Sequence, residues 1–578
     1  MNTPETTTLD PFTAEIIRSY LVSTVREMVL TTTRTAFSTC FCHGEDFTCA
    51  MFDRDGVMIA QDQGVTVHAG AMGEAVRFVI RTQPSISEGD VFLHNDPYNW
   101  GTHQADVLVC RPIFYRGELV GFAANRGHWT DVGGMAPGGW SGTAEDVIQE
   151  GLLLSSIRLI HAGQVNEDIK RFLLRNVRME DQLWGDIQSQ IASNIIAERR
   201  IGHLIDRYGL EQYRAGVHHT LDYSRRRLLA GLVKIPDGVM HAEDVIEDDG
   251  RGGGPFPIRV TLTKTKEKVT ADFSDTHPHV MAPINSSLAC TKAAVIASLL
   301  ATVDPDIPLN DSLFDCIELV TIPGSLVHPT HPAPTFASTA DPVDRVCEVM
   351  MRALHQLVPE RVPAGSYSTG NNVTGGGVDG QGNEFLWYIY MAGGCGAHSD
   401  CDGNSAEWHL MSNCKNESME TWEVRYPVEF LSYRLIPDSG GPGKWRGGLG
   451  TERQLRVTSD TRLTGISDHH GIGAHGLANG MPGLPNGFAV SRDGIVSTIA
   501  ELFDLPSGSK FSNVPLRTGD IFVSTQGGGG GYGDPRQRER ILVEQDLQEG
   551  FIGKETATDE YRLLLTKNTQ RAVNRDAE

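Results

Sequence analysis

The chain has 578 residues, a formal net charge of −23 and 21% charged residues. Its length predicts several domains, and its acidic balance argues against nucleic acid or an anionic membrane as a partner, because both require a basic face. No apolar run is long enough to span a bilayer, and the N-terminus lacks the basic and apolar regions of a secretory signal, so we expect a cytoplasmic protein.

The first predicted elements are a helix and a β-hairpin. Asp10 followed by Pro11 is typical of a helix start, and apolar residues at helical spacing predict an amphipathic helix over residues 11–34. A turn at 53–56 between two apolar runs predicts a hairpin. Asp46 stands at the start of this hairpin, either as an exposed strand-end carboxylate or as a ligand of a metal ion.

His68 lies just before a second predicted helix, near residues 71–82. A polar side chain in this position commonly caps the helix, and we favour that interpretation. The alternative is that His68 faces a ligand.

The next predicted element is a hairpin whose turn is Arg116-Gly117 and whose strands are Val107–Tyr115 and Glu118–Asn125. A hairpin brings its two outer ends together, so side chains just outside the two strands should meet. Two imidazoles and two carboxylates stand there, in the same His-x-x-Asp pattern on both flanks: His103, Asp106, His128 and Asp131.

These four side chains suit a divalent metal, because imidazole binds zinc, iron and manganese, and carboxylate binds the harder ions. Three protein ligands with an open position would leave room for a metal-bound water that acts as a nucleophile. The alternative is a pair of polar loops in which each histidine bonds to the backbone. The repetition of the pattern on both flanks favours the metal site.

Two other groups of residues could bind a metal, and both rank below the hairpin set. Cys40, Cys42 and His43 form one group, but the ten cysteines are scattered without CxxC pairs, which is typical of buried, reduced thiols. The second group lies in a glycine-rich stretch, where polar loop residues are the favoured interpretation: Asp468, His469, His470 and His475.

Gly471–Gly476 matches the pattern GxGxxG of dinucleotide-binding proteins. No strand leads cleanly into it and no helix is predicted after it, so the stretch fails the context test for such a site. The sequence also lacks the Walker motif GxxxxGK[ST] and the nucleophile motif GxSxG, so it predicts neither a phosphate loop nor a hydrolase elbow.

Residues 162–234 are strongly helical, and the pattern changes to strands from about Pro236. Helices are predicted at 291–303 and 341–357. Strands are predicted at 258–262, 268–273, 319–322, 384–392, 427–436, 452–457, 487–491 and 519–524. Clusters among the 63 glycines, such as Gly375–Gly377 and Gly527–Gly531, suggest an irregular, loop-built second half rather than a clean layered sheet.

The predicted fold class is therefore α+β with several domains, in which a mixed α/β metal-binding region and a helical segment precede a β-rich, glycine-loop-rich half. The expected division is 1–160 for the metal-site region with its hairpins, 161–235 for the helical segment, 236–330 for a mixed α/β segment, 331–540 for the β-rich region and 541–578 for a peripheral tail.

Seven motifs together resemble the B-type component of the ATP-dependent hydantoinase/oxoprolinase family, whose relatives include caprolactamase and the acetone and acetophenone carboxylases. The resemblance covers about residues 10–540 and is specific because of the order and spacing of its motifs. In chain order they are Asp46–Phe47, Val67–Met72, Gly89–Asp106, Gly127–Gly134, Asp272–Ser286, Pro437–Gly450 and Gly527–Pro535.

The resemblance implies a metal-binding subunit, with zinc expected ahead of manganese. It implies the ligands Asp46, His103, Asp106 and His128, with Asp131 orienting a ligating histidine. It also implies an A-type partner subunit that holds ATP and Mg²⁺ in an actin/kinase-like fold, in a hetero-oligomer for which we expect α2β2 stoichiometry.

Three functions are compatible with this interpretation. The first is an ATP-coupled hydrolase of cyclic amides, in which the partner phosphorylates the amide oxygen, the metal activates water or holds the carbonyl oxygen, and Asp131 or His68 serves as base. The second is an ATP-dependent ketone carboxylase, and the third is a scaffold with a structural metal. The chain is shorter than the family's carboxylase subunits, which favours the hydrolase.

Overall fold

Apolar runs in the first third of the chain form one antiparallel sheet. Its seven strands are β1 (Phe47–Asp53), β2 (Met58–Gln61), β3 (Val91–His94), β4 (Asp106–Tyr115), β5 (Glu118–His128), β6 (Ile157–His161) and β7 (Gln164–Val165). They lie in the order β2-β1-β5-β4-β3-β6-β7. Both predicted hairpins are confirmed, and the central one extends further than expected, since Asp106 opens β4 and His128 closes β5. The computed structural model that shows this describes residues 9–62, 64–68, 70–367 and 369–564.

Helices cover both faces of this sheet. They are α1 (Pro11–Thr35), α2 (Thr39–Cys42), α3 (Met72–Thr82), α4 (Glu167–Leu174), α5 (Glu180–Tyr208) and α6 (Leu210–Leu232). As predicted, Pro11 opens α1 and the carboxylate of Asp10 caps it by accepting a hydrogen bond from the Thr13 amide at 2.9 Å. The apolar stripes of α1 and α5 pack on one face of the sheet, and α3 packs on the other.

The middle of the chain forms a smaller sheet with two long helices against it. Its strands are β8 (Gly238–Ile246), β9 (Phe256–Thr265), β10 (Lys268–Asp272) and β11 (Ile317–Val320), and its helices are α7 (Leu288–Val303) and α8 (Asp341–His355). The order is β11-β10-β9-β8, with one parallel pair, β10 and β11. Helices α7 and α8 share an apolar core with this sheet. Ala340, the residue before α8, belongs to the core of the N-terminal sheet.

The last part of the described chain contains two further sheets. Their strands are β12 (Asn372–Val378), β13 (Glu384–Ile389), β14 (Val428–Leu435), β15 (Thr451–Val457), β16 (Thr461–Ile466), β17 (Gly487–Arg492), β18 (Ile495–Thr498), β19 (Lys510–Leu516) and β20 (Ile521–Gln526). One sheet has the order β13-β12-β16-β19 and the other has the order β14-β15-β20-β17-β18. Side chains of both sheets meet in one apolar core. The helices of this part are α9 (Met419–Arg425), α10 (Ile499–Phe503), α11 (Arg540–Gln548) and α12 (Lys554–Asp559).

The glycine clusters of the second half are more ordered than the sequence suggests. Gly375–Gly377 lies inside β12 rather than in a loop, because the ring of Trp387 occupies the space above it: a Cβ at Gly375 would lie 2.1 Å from that ring. Other clusters hydrogen-bond backbone to backbone, as from the Gly441 amide to the Gly529 carbonyl at 2.8 Å. The expectation of an irregular second half is therefore wrong for the sheets.

The predicted fold class is confirmed, whereas the domain boundaries stay a prediction. Sequence patterns do not predict the strands at 91–94, 157–161, 164–165, 238–246, 372–378, 461–466, 495–498 and 510–516. The last described helices, α11 and α12, share a small core of their own, and residues 565–578 of the expected tail lie outside the described part of the chain. Within the described residues, no helix is long and apolar enough to cross a membrane.

Candidate metal centre

The register of the central hairpin brings the candidate ligands together. Asp106 is the first residue of β4 and pairs with His128, the last residue of β5. His103 lies three residues before β4, where the chain enters the strand. Nε2 of His103 lies 3.0 Å from Oδ1 of Asp106, and Nδ1 of His128 lies 3.2 Å and 3.5 Å from these two atoms.

These separations fit a bound divalent cation. Ligand atoms about 2.1 Å from a tetrahedral ion lie about 3.4 Å from one another. His103, Asp106 and His128 are 1%, 2% and 2% exposed, and within the described chain they are the one group of three or more such side chains close enough to share an ion. Two imidazole nitrogens 3.2 Å apart require a proton or a cation between them. Two imidazole nitrogens and a carboxylate oxygen at these separations form a donor set that fits a metal.

Neighbouring groups orient the cluster, as expected for metal ligands. Nδ1 of His103 lies 2.9 Å from the carbonyl oxygen of Phe336, which leaves Nε2 to face Asp106. Oδ2 of Asp106 accepts a hydrogen bond from the Thr102 hydroxyl at 2.7 Å and lies 2.9 Å from Nε2 of His68. The second ring nitrogen of His68 lies 3.2 Å from the hydroxyl of Thr48.

His68 therefore does not cap the following helix, contrary to the favoured interpretation. Helix α3 has no side-chain cap, and a short 3-10 helix, Thr66–His68, turns the imidazole into the site instead. Since both ring nitrogens are engaged, His68 positions Asp106.

Electrostatics favour a carboxylate at Asp106. Burial alone would raise the pKa of Asp106, but the imidazoles of His103 and His68 outweigh it and hold that pKa well below its usual value. Burial, with Asp106 nearby, raises the pKa of Asp46 to about 6, against the opposing effect of His128.

Asp46 lies in the same cavity but not in the close group of three. It is 7% exposed, and its backbone carbonyl accepts a hydrogen bond from the His128 amide at 3.0 Å. Its role as a fourth ligand stays a prediction.

The cluster lies in the wall of a cavity of about 50 Å³ that reaches into the second half of the chain. The ring of Tyr388 stacks on His128, with centroids 4.8 Å apart, and its hydroxyl donates to Asn372 at 2.5 Å. His409 also lines the cavity, and its Nε2 lies 3.1 Å from Oδ2 of Asp344. The remaining lining residues are Val65, Val67, His68, Thr339, Ala340, Gly370, Tyr390, Trp408, Met411, Ser412 and Cys414.

Asp131 lies away from the cavity wall. Its Oδ1 accepts hydrogen bonds from the Gly138 amide at 3.0 Å and from Nη1 of Arg178 at 2.8 Å, and Oδ2 accepts one from the Arg178 amide at 2.5 Å. These contacts tie the loop after β5 to the segment before α5. They do not support the expected roles of Asp131 as a base or as a partner of a ligating histidine.

The other candidate groups do not converge in the described structure. Cys40, Cys42 and His43 do not come close enough to share an ion, and neither do Asp468, His469, His470 and His475. Asp468 instead pairs with the buried Lys510 at 3.1 Å, and His469 lies 2.6 Å from Nη1 of Arg345. Strand β16 ends five residues before Gly471, but no helix follows, so Gly471–Gly476 still lacks the context of a dinucleotide site.

Several residues of the site were missed by the sequence reasoning. Glu150 is fully buried and accepts hydrogen bonds from the amides of Thr335 and Phe336, which places the carbonyl that holds His103. Burial raises the pKa of Glu150 to about 8. Tyr388 and His409 come from more than 250 residues further along the chain. No local pattern could have connected them with the hairpin.

A family model described as Hydantoinase B/oxoprolinase matches residues 10–535. The chain is 30% identical to the beta subunit of caprolactamase from Pseudomonas jessenii, over 97% of each chain. It is 31% identical to the B component of a provisionally named D-/L-hydantoinase from Pseudomonas sp. strain NS671, over 97% of this chain and 96% of that one. It is 29% identical to 5-oxoprolinase of Dictyostelium discoideum, over 91% of this chain but 40% of that one.

Two solved structures share the fold. The crystal structure of ATP-dependent caprolactamase from Pseudomonas jessenii matches with a TM-score of 0.88 and 29% identity, over 98% of this chain and 99% of that one. A nucleotide-free acetone carboxylase structure matches with a TM-score of 0.87 and 20% identity, over 98% of this chain and 83% of that one. The second likeness is evidence for the fold alone.

Proposed function

The chain belongs to the hydantoinase B/oxoprolinase family, and from this premise we propose that it is the metal-binding subunit of an ATP-dependent hydrolase of cyclic amides. Support comes from two relatives matched over almost their whole length, which carry the names caprolactamase and hydantoinase and are each described as one subunit. The related crystal structure is described as ATP-dependent.

The observation that carries the proposal is the buried His103–Asp106–His128 cluster in a cavity wall. We propose that these three side chains and Asp46 hold a divalent cation, zinc ahead of manganese because two donors are imidazoles. When bound there, such an ion supplies Lewis-acid activation of a water molecule or of the amide carbonyl oxygen.

The chain's own residues prepare this chemistry. His68 and Thr102 hold Oδ2 of Asp106, so that Oδ1 faces the imidazoles. Tyr388 stacks on His128 and limits the rotation of that ring. The three ligand side chains are almost fully buried, and electrostatic interactions are stronger in such surroundings than in water.

ATP and Mg²⁺ belong, in this proposal, to a separate A-type subunit, in an assembly for which we expect α2β2 stoichiometry. The sequence supports this division because it has no Walker motif, and its GxGxxG stretch at Gly471–Gly476 is not followed by a helix. The partner would phosphorylate the amide oxygen of a lactam or hydantoin, which turns an unreactive carbonyl into one with a good leaving group.

The ketone carboxylase alternative gains no functional support from the acetone carboxylase structure, since 20% identity establishes the fold only.

The test is ADP release by the chain co-purified with an A-type subunit, measured over lactams, hydantoins and ketones with and without bicarbonate. We expect ADP release with a cyclic amide and without bicarbonate, and none from the isolated chain. Turnover of ketones that requires bicarbonate would overturn the proposal, as would sustained ATP hydrolysis by the isolated chain after contaminating ATPases are removed.

A further inference from the structure

A fully buried arginine lies beside the candidate metal centre. Arg126 is 0% exposed and lies on β5, two residues before His128. Alternate residues of a strand project from the same face of a sheet, with Cα atoms about 7 Å apart. Arg126 and His128 therefore share the sheet face that also carries Asp106, which pairs with His128 across the two strands.

The guanidinium of Arg126 has no carboxylate as a hydrogen-bond partner in the described part of the chain. Its Nη2 donates to the carbonyl oxygen of Trp100 at 2.9 Å, whereas Nε and Nη1 are buried without a partner among the described residues. Burial lowers the pKa of Arg126 to about 10, against the opposing effect of Asp106, so the side chain is charged at neutral pH. A buried charge without a direct counter-ion is unfavourable and requires compensation from a neighbouring group.

Asp106 is the carboxylate that offsets this charge, and it is also a candidate ligand of the metal ion. Its Oδ1 lies 3.0 Å from Nε2 of His103, whereas its Oδ2 accepts a hydrogen bond from the Thr102 hydroxyl. The negative charge of Asp106 therefore acts both on Arg126 and on any cation held by the cluster. Because both of those charges are positive, they repel each other, and Arg126 lowers the affinity of the cluster for a cation.

We propose that Arg126 tunes the metal centre: its fixed positive charge weakens the binding of the metal ion and strengthens the binding of anions at that ion. The inference rests on the proposed function, in which the partner supplies an amide that carries a negatively charged phosphoryl group. Arg126 favours this anionic ligand by its charge, and it acts through Asp106 and the ion without touching the substrate.

The test measures two affinities of the full-length chain, alone and with the A-type subunit. The first is the affinity for zinc, measured by competition with a chelator. The second is the affinity of the zinc-loaded protein for azide, measured by calorimetry, because azide is a small monoanion that a cavity of about 50 Å³ can hold.

Arg126→Met removes the charge and keeps the length of the stem. It should tighten zinc binding and weaken azide binding, each on the order of tenfold, which is the effect of one charge about 7–10 Å away at an effective dielectric constant of about 20. The opposite signs are diagnostic, because a variant that only loosens the loop at Trp100 would weaken the binding of both ligands.

Two further variants separate the charge from the hydrogen bond to Trp100. Arg126→Lys keeps a positive charge beside Asp106, so both affinities should stay within about threefold of the wild type. Arg126→Gln removes the charge and keeps an amide donor, so both affinities should shift in the same directions as in Arg126→Met. If Arg126→Met fails to fold, the comparison of the Gln and Lys variants carries the test.

Arg111→Met is the matched control. Arg111 lies on β4, three residues after Leu108, which pairs with Arg126, so it projects from the opposite face of the same sheet. There its guanidinium forms an ion pair with Glu198 at 2.8 Å. This variant also loses one positive charge, but both affinities should stay within about twofold of the wild type.

Unchanged zinc affinity in both Arg126→Met and Arg126→Gln would overturn the proposal. So would a loss of affinity for zinc and azide together, because that is the result of a structural role. These outcomes are distinct from a failure of the proposed function, which is read from the zinc content of the wild type and from ADP release: a chain that binds zinc and hydrolyses cyclic amides without any effect of Arg126 keeps the function and loses the inference.

Discussion

The imidazoles of His103 and His128 are the residues on which metal binding should depend most. Replacing either histidine with alanine leaves an incomplete set of ligands in a buried site. The neighbouring Thr102 and His68 cannot replace the missing imidazole, because both already contact Asp106. We therefore expect His103→Ala and His128→Ala to lose the metal and all turnover. Elemental analysis of the purified variants checks this.

Asp131→Asn is the matched control for those variants. Asp131 lies three residues beyond His128, but it accepts hydrogen bonds from Arg178 and Gly138 and does not contact the cluster. We expect it to keep a full complement of metal and to lower the free energy of unfolding by about 1–3 kcal/mol, as for a buried polar group that loses a partner. Metal retained in His103→Ala and His128→Ala but lost in Asp131→Asn would place the site elsewhere.

At the scale of one element, the packing of strand β12 against Trp387 requires a glycine at position 375. A Cβ at Gly375 would lie 2.1 Å from the Trp387 ring, whereas a Cβ at Gly380, in the turn that follows β12, would meet nothing within 4 Å. Gly375→Ala should lower the free energy of unfolding by about 1–3 kcal/mol, and Gly380→Ala should change it by less than about 0.5 kcal/mol. Denaturant unfolding measures both, and equal effects would contradict this packing.

Asp62, which directly follows the first hairpin, should make the free energy of unfolding depend on pH. Its Oδ1 accepts a hydrogen bond from the Cys49 amide at 2.8 Å, but burial dominates and raises the pKa of Asp62 from 3.8 to about 7. The folded state thus favours the protonated carboxyl, and stability present below about pH 4 is lost as the pH rises toward about 7.

Asp62→Asn is neutral throughout this range and keeps an acceptor for the Cys49 amide. We therefore expect wild-type stability to fall relative to this variant by on the order of 1–2 kcal/mol between about pH 4 and pH 8. Urea unfolding of both proteins at several pH values tests it. A gap that stays constant with pH would show that Asp62 is ionised in the folded chain.

At the scale of the whole molecule, the candidate metal centre joins parts of the chain that are distant in the sequence. Asp106 and His128 belong to the N-terminal sheet, Phe336 precedes α8, and Tyr388 lies on β13. A cation bound there should stabilise the assembled chain by mass action, by about 4 kcal/mol at a concentration roughly a thousand times the dissociation constant.

Removal of the metal with a chelator should therefore lower the melting temperature, and added zinc should restore it in a concentration-dependent way. His103→Ala should show neither change. A melting temperature that responds to zinc equally in the wild type and in this variant would assign the effect to a different site.

Local sequence patterns were enough to predict the hairpin and the meeting of His103, Asp106 and His128, because strand register follows from alternation and a short turn. The same patterns misled at His68, where helix-capping statistics outweighed a tertiary contact with Asp106. They also misled at Gly375–Gly377, because glycine favours loops locally and its place in a strand depends on Trp387, which packs against it.

The sequence by itself determined the α+β class, the hairpin and the candidate metal ligands at its open end, since these depend on residues close in the chain. Only the tertiary structure decided that the Phe336 carbonyl holds His103, that Tyr388 and His409 line the cavity, and that Asp131 bonds to Arg178 instead of the site. The physical reason is that contacts between residues hundreds of positions apart are set by how the sheets and helices pack, and packing leaves no periodic signal in the sequence.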